Sequence, residues 1–598
     1  MPATLIEKIL ALHAGQPLQP GDIVDVDIDA RVARDFGGAN VVHHLLKHKL
    51  NIADPKKTFF TFDCNPTGSD QKYAANQQLC RNFARQHGIR LFDIDSGIGT
   101  HVAIDHGLVG PGGTLISTDS HANILGAIGA FGQGMGDVDV AYAFSHGSIW
   151  FNVPASYKIN LTGDLPKTYT AKDVALHFLR EFGANGLLGV AVEIYGPAVD
   201  KFTLEQRITI ASMATEMGAI ILLFHPSPQI IDHCRRAGAT FEPLYADANA
   251  DYMRTIDLDI SNLEPLVSRP GHPEDVVTVR SLEGTPINSV FIGSCTNGRF
   301  EDLAQAADIL KGKSKAEHVV LKIVPATDAI WQRCLQEGLF DIFKSAGALI
   351  SNAGCAGCAA GQVGQNGPGE VTVSTGNRNF AGKQGKGEVY LASPATAAAC
   401  AIAGCLVSAD RLEYVKPHKR SANKRAVSPP AQLDEKLTEK PTLLTGRVWI
   451  IPIDNIDTDM IYHNRYLAIT DINQMGQYAL EDLEGWQDFA QKAQPGDIII
   501  TGENFGCGSS RQQAVDCFKS LGVQLIIAKS FGAIYERNAI NNALPILKMD
   551  LLHAGLKDGD KIMVDLKTGA VRLETGEICK AHPFSDVQMR IYQRGGLL

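Results

Sequence analysis

Short apolar runs closed by glycine or polar residues recur along the chain and alternate with stretches of helical period. The runs at 113–117, 220–224 and 290–293 have the length and unbroken apolar character of strands buried on both faces. Residues 173–181, 204–217 and 301–310 carry the three-to-four-residue period of helices, and the stretch from Tyr390 to Cys400 reads as a helix of small residues. Beyond it, 448–453, 497–501 and 523–527 read as strands, with a helix from Arg511 to Ser520 between the last two. That order predicts a βαβ unit, and the fold class expected for the whole chain is α/β.

The alternation fails in one place. A basic run from Lys416 to Arg425 is followed by Ser428-Pro429-Pro430 and a charged stretch to Lys440-Pro441. Prolines and like charges without an apolar period predict an exposed linker at 411–444, joining a large part at 1–410 to a second α/β domain at 445–598. A length of 598 residues suits several domains, and the alternation before the linker calls for several α/β subdomains.

Charge and composition narrow the function classes. The 65 acidic residues outnumber the 55 basic ones, which argues against a general nucleic-acid binder. No apolar run approaches the roughly 18 residues of a membrane span. The start, Met1 to Lys8, lacks the basic and apolar regions of a secretion signal. Twelve cysteines are too sparse for a disulfide scaffold and suit a reducing cytoplasm.

Chemistry concentrates in five loops, most of them glycine-rich. In Gly293-Ser-Cys-Thr-Asn-Gly-Arg299 and Asn352-Ala-Gly-Cys-Ala-Gly-Cys358, the spacing of Cys355 and Cys358 lets two thiolates face one metal or cluster, and Cys295 is the best third candidate. The CxxC pair is equally compatible with a redox pair or two buried thiols, and cysteine count alone does not separate iron–sulfur from zinc. In Ser117-Thr-Asp-Ser-His121, the residues Asp119, Ser120 and His121 bring carboxylate, hydroxyl and imidazole to a strand end, with His101 and Asp63 upstream. Gly502 to Arg511 leads into a helix, where Ser509, Ser510 and Arg511 face an anion if they are more than an N-cap. In Ser374 to Lys383, Arg378 offers a bidentate grip for carboxylate and Lys383 a point charge. Three cations in glycine-rich loops of an acidic chain point to a small di- or tricarboxylate ligand.

Taken together, SCTNGR at 294–299, GCAGC at 354–358, NRNFAG at 377–382, TDSH at 118–121 and GSSR at 508–511 resemble the aconitase superfamily. The phrase EGTPINSVFIGSCTNGRFEDL is most similar to the isopropylmalate isomerase and homoaconitase branch, whose large part and small swivelling domain are often separate subunits. The resemblance implies an aconitase-like core of three α/β subdomains plus a C-terminal swivelling α/β domain, joined here by the linker, so that no separate small subunit is needed. It implies a [4Fe–4S] cluster on Cys295, Cys355 and Cys358, with one iron acting as a Lewis acid. It makes Ser509 the base, with Ser510 and Arg511 stabilising the alkoxide. Arg378 holds the substrate carboxylate, with Asn377, Ser120 and Lys383 also binding substrate. Asp63, His101, Asp119, His121 and Glu193 take the place of the family's carboxylate–histidine pairs. The reaction implied is dehydration and rehydration that moves a hydroxyl group on a substituted malate, as in amino-acid biosynthesis.

The chain departs from the family at Cys64, where histidine is usual, at Arg34, where glutamine or histidine is usual, at Ala122 for threonine, and at Lys383 for arginine. Specificity in this branch lies in a small-domain loop that here reads Tyr466-Leu467-Ala468-Ile469. Ala468 and Ile469 offer apolar surface where homoaconitase-like members carry an arginine, which favours an alkyl-bearing malate over homoaconitate or aconitate. Arg465 would reverse that preference if it turned inward. An RNA-binding iron sensor would need a strongly basic cleft, which the acidic charge disfavours, and a zinc hydrolase would leave GSSR and NRNF unexplained.

Overall fold

The computed structural model describes residues 2–67, 70–166, 169–358, 363–415, 440–508 and 511–597. The chain forms two compact units, Met1–Asn423 and Lys424–Leu598. Most of the expected linker, including the basic run and Ser428-Pro429-Pro430, lies outside the described residues. Its first residues belong to a 3-10 turn, Ala409–Tyr414, in which Arg411 pairs with Glu283 at 3.0 Å. Among the described residues no helix is long and apolar enough to cross a membrane.

The first unit contains three main sheets. One is a five-stranded parallel sheet in the order Arg90–Phe92, Thr58–Thr61, Ala30–Arg34, Thr114–Ser117 and Phe131–Gly134. A four-stranded parallel sheet runs Ile221–Phe224, Ala191–Tyr195, Ser156–Thr162 and Arg254–Asp259. The third has seven strands, of which Glu388–Ala392, Val371–Ser374, Ser289–Ile292, Val320–Ile323 and Leu349–Ile350 are parallel. Strands such as Thr114–Ser117 and Ser289–Ile292 are buried at every position, as covering helices on both faces require. One continuous core links the three sheets through Val32 and Leu115, Ile159 and Ile194, and Val290 and Ile292. Each such side chain contributes about 1.5–3 kcal/mol by leaving water.

The second unit is built on a seven-stranded mixed sheet. Ile546–Lys548, Leu525–Ala528, Ile498–Thr501 and Leu443–Ile451 run parallel, and Lys561–Asp565, Ala570–Leu573 and Ile578–Lys580 follow antiparallel. The helix Gln513–Ser520 connects two of the parallel strands, which is the βαβ unit read from the pattern.

Two expected helices differ from their pattern for local reasons. The helix predicted at 204–217 stops at Ala211 and resumes as a 3-10 turn, Thr215–Met217. The Ser212 hydroxyl there donates back to Thr209 O at 2.8 Å, competing with the helical ladder. The stretch from Tyr390 to Cys400 divides into the strand Glu388–Ala392 and the helix Pro394–Ala403. Ser393 caps that helix and Pro394 supplies its first turn, so the helix cannot begin earlier.

Candidate active site

The sheet architecture decides which loops meet. Arg34, Asp63 and Asp119 all lie at or just beyond the carboxyl ends of adjacent parallel strands of the first sheet. Cys295 and Asn377 follow the carboxyl ends of adjacent parallel strands of the third. Loops at such ends are where open α/β sheets hold ligands. Together they enclose a cavity of about 330 Å³ lined by Arg34, Cys64, Asp119, Ser120, His121, Cys295, Cys355, Cys358, Arg378 and Lys383.

The backbone of this site is specialised. After Ser289–Ile292, Gly293 adopts φ 153°, and a Cβ there would stand 2.5 Å from Val324 O. Ser294 follows at φ 76°, a conformation costing a non-glycine residue about 1–3 kcal/mol. Its hydroxyl accepts a hydrogen bond from Thr296 N at 3.2 Å, which fixes the turn carrying Cys295. On the other wall, Cys355 N donates to Asp63 O at 2.9 Å and Cys358 N to Cys355 O at 3.2 Å. Asp35 holds the 63–65 loop from beneath, accepting from the backbone N–H groups of Asp63, Cys64 and Asn65 and from the Gln77 amide.

Arg34 is the hub of one side. Its Nε donates to Asp63 Oδ1 at 2.7 Å and its Nη2 to Cys355 Sγ at 2.7 Å, while Nη1 lies 3.1 Å from Asp119 Oδ1. Burial pushes the Asp63 carboxyl up to about 6 in spite of Arg34. Burial also opposes ionisation of Asp119, but Arg34 and His121 outweigh it and hold that carboxyl below its ordinary value.

His121 is the hub of the other side. Its Nε2 lies 3.2 Å from Glu216 Oε1 and 2.7 Å from the Asn377 side-chain nitrogen, and its Nδ1 lies 3.2 Å from Ser120 Oγ. Arg378 Nε donates to the same Glu216 Oε1 at 2.7 Å. Burial works against the Glu216 charge, yet His121 and Arg378 bring its carboxyl below the ordinary value. The buried Lys172 supports this loop, donating to Gly376 O at 2.6 Å. His101, fully buried on the helix Gly99–Asp105, meets Cys295 O through Nε2 at 2.9 Å. Burial, with Arg299 adding to it, takes this imidazole down to about 4, so it is neutral at pH 7. Lys383 Nζ donates to Cys358 O at 3.0 Å.

One expected residue stands elsewhere. Glu193 is fully buried under the helix Leu5–Ala14, where it accepts from Ile6 N at 3.1 Å and from the Tyr195 and Tyr252 hydroxyls at 2.7 Å each. A helix N-terminus and two phenols satisfy both of its oxygens, so its part there is structural. Glu216 supplies the carboxylate at His121 instead. No motif marks it, and its one signal is a lone acid in the apolar stretch Met213 to Ile220.

The chemistry of the donors fits an iron–sulfur cluster. Cys295, Cys355 and Cys358 are free thiols on one cavity, and three protein ligands leave one iron of a four-iron cluster open. Among the described residues, Glu216 Oε2 and His101 Nδ1 are buried without a hydrogen-bond partner.

In the second unit, Ser509 and Ser510 lie outside the described residues. Arg511 is buried, and its Nη2 donates to Asp459 Oδ2 at 2.6 Å and its Nη1 to Tyr462 O at 3.2 Å. In the loop Tyr466 to Ile469, Leu467 and Ala468 are exposed and Ile469 packs partly on the unit's own core. Arg465 pairs with Asp482 and donates to His463 Nδ1 at 3.0 Å.

The family model described as Aconitase family (aconitate hydratase) matches residues 7–286 and 280–404, and the one described as Aconitase C-terminal domain matches 450–551. The chain is 39% identical over 409 residues to a 3-isopropylmalate dehydratase large subunit of Methanopyrus kandleri, covering 68% of this chain and 98% of that protein. It is 38% identical over 421 residues to a homoaconitase large subunit of Thermus thermophilus, covering 70% of this chain and all of that protein. A mitochondrial homoaconitase of Eremothecium gossypii is 31% identical over 589 residues, covering 91% of this chain and 86% of that protein.

Proposed function

The chain belongs to the aconitase family, with its large part and a small-subunit-like part in one polypeptide, and from that premise we propose that it isomerises an alkyl-substituted malate of the 3-isopropylmalate type. Cys295, Cys355 and Cys358 would hold a [4Fe–4S] cluster, which when bound supplies a Lewis acid for the substrate hydroxyl.

The residues around it divide the remaining work. Arg378, oriented by Glu216, binds a substrate carboxylate at the cavity wall, with Lys383 and Ser120 on the polar lining and Asn377 held against His121. His121 exchanges a proton with the departing or returning hydroxyl, and Glu216 stabilises its charged form. Neutral His101 and the Arg34-bound Asp63 and Asp119 set the charge of the opposite wall. Ser509 takes the proton from the carbon beside a carboxylate, and Ser510 and Arg511 stabilise the resulting negative charge.

The observation that carries this reading is one cavity joining three thiols to the His121–Glu216–Arg378 array. The alkyl group is supported by the uncharged 467–469 segment and by the engagement of Arg465 with Asp482. The reading includes a cytoplasmic location, which suits twelve cysteines that all stand as free thiols. Anaerobic assay of the purified chain against 3-isopropylmalate, homocitrate and citrate tests it. Higher kcat/KM for 3-isopropylmalate is the expected result, and preference for a tricarboxylate would move the substrate to the homoaconitate side.

A further inference from the structure

Among the described residues no carboxylate pairs with Lys172, whose side chain is fully buried in the first turn of the helix Ala171–Phe182. The acids of this region are committed elsewhere. Asp173 accepts from Thr170 N at 3.0 Å and Leu266 N at 3.1 Å, and Asp302 accepts from the Asn297 amide at 2.8 Å and Arg299 N at 3.0 Å. Glu216 holds His121 and Arg378. The Lys172 ammonium instead donates to Gly376 O at 2.6 Å, Thr375 O at 3.4 Å and Met213 Sδ at 3.6 Å. Burial takes it down to about 8, which leaves it charged at pH 7. A buried charge without a counter-charge is costly, and here its three donors are spent on two segments of the site.

Those segments carry the two partners of one ion pair. Gly376 is followed by Asn377 and Arg378, and Met213 precedes Glu216 by three residues. Arg378 Nε donates to Glu216 Oε1 at 2.7 Å. Thr375 extends the link to a thiol loop, for its hydroxyl accepts from Gly293 N at 2.9 Å, two residues before Cys295.

We propose that Lys172 is the positioning residue for Arg378, its ammonium clasping the 375–376 backbone to the turn that leads into Glu216. The role rests on Arg378 as the grip on a substrate carboxylate. A carbonyl drawn to the ammonium fixes the plane of its peptide, and the planar peptide carries that orientation into the next residue. Gly376 O thereby sets the entry to Asn377 and Arg378. An ammonium does this without competing for Glu216, because its acceptors are carbonyls and a thioether.

The test uses the full-length chain, purified anaerobically, with whichever of 3-isopropylmalate, homocitrate and citrate it turns over best. Iron content and Tm are measured beside KM and kcat. Lys172→Met keeps the side-chain length and removes the donors; Lys172→Gln retains an amide donor and carries the test should the methionine variant not fold. Lys172→Met should raise KM by about 10- to 100-fold, the scale of one hydrogen bond to a charged group, with a smaller change in kcat and unchanged iron. Lys172→Gln should raise it less. In an Arg378→Ala background, either substitution should leave KM where Arg378→Ala alone puts it, because both act through one guanidinium. A rise that adds in full to that of Arg378→Ala would overturn the proposal, as would wild-type KM with only Tm lowered. Arg378→Ala with wild-type KM would remove the carboxylate grip itself, and the role of Lys172 with it, so the two failures are told apart.

Discussion

Glu216 Oε1 lies 3.2 Å from His121 Nε2, across a separation of 95 residues, and binds Arg378 with the same oxygen. A single buried carboxylate therefore positions both the imidazole proposed to handle the proton and the guanidinium proposed to grip the substrate.

Glu216→Gln keeps the shape and removes the charge. Turnover should fall by about 10²-fold or more, the scale of a disabled acid–base group, while iron content stays unchanged. Because Arg378 loses its anchor, KM should rise as well, and Glu216→Asp should restore only part of each. Steady-state kinetics with iron analysis decides this, and unchanged kcat would assign Glu216 to folding alone.

Ser509→Ala should lower kcat by about 10²–10⁴ with cluster content intact. Near-normal turnover would remove Ser509 from the proposed proton abstraction.

Anaerobically purified protein should be brown, with iron and sulfide near the stoichiometry of one [4Fe–4S] cluster, and Cys355→Ser should lose colour and activity together. Stoichiometric zinc without iron in active protein would contradict the cluster.

Ala468→Arg should shift relative kcat/KM towards homocitrate and citrate, since it supplies a partner for a third carboxylate. On the unsubstituted loop, that carboxylate loses water without compensation. Competition assays with paired substrates measure the shift, and unchanged selectivity would remove this loop from substrate recognition.

Away from the site, His13 Nε2 lies 2.7 Å from Asp29 Oδ2. Burial opposes both charges, but the pairing prevails, taking Asp29 down to about 2 from its ordinary 3.8 and raising His13 above its ordinary 6.5. The stability from Asp29 is full above its ordinary value and is lost as pH falls towards 2; that from His13 is full below 6.5 and is lost as pH rises through the raised value. His13→Gln should therefore lower Tm most between about pH 4 and 6.5, with the gap narrowing on either side. An equal loss at acid and alkaline pH would show that packing alone is at stake.

Continuous apolar runs locate strands well, because parallel strands covered on both faces leave little room for polar residues: 113–117, 220–224 and 290–293 each fall within one or two residues of the observed strands Thr114–Ser117, Ile221–Phe224 and Ser289–Ile292. Helix ends are less legible, since Ser212 interrupts a helix through a bond to its own turn that apolar period does not register. Within the site, motif-borne residues such as Cys295 and His121 are legible because they sit in glycine-rich loops. Glu216 and Glu193 are both acids among apolar neighbours, and only the tertiary fold distinguishes the one facing His121 from the one beneath a helix terminus. The role of Arg34 is similarly hidden, since Asp63, Asp119 and Cys355 come from three separate segments.

Asp35 ties down three successive backbone N–H groups of the 63–65 loop, so the path of that loop owes little to the side chain at position 64. The side chain at position 64 is consequently carried on a backbone whose course is fixed from Asp35, through three bonds that this side chain does not supply. A substitution there therefore reads out the chemistry of one side chain, because the hydrogen bonds that hold the loop come from elsewhere.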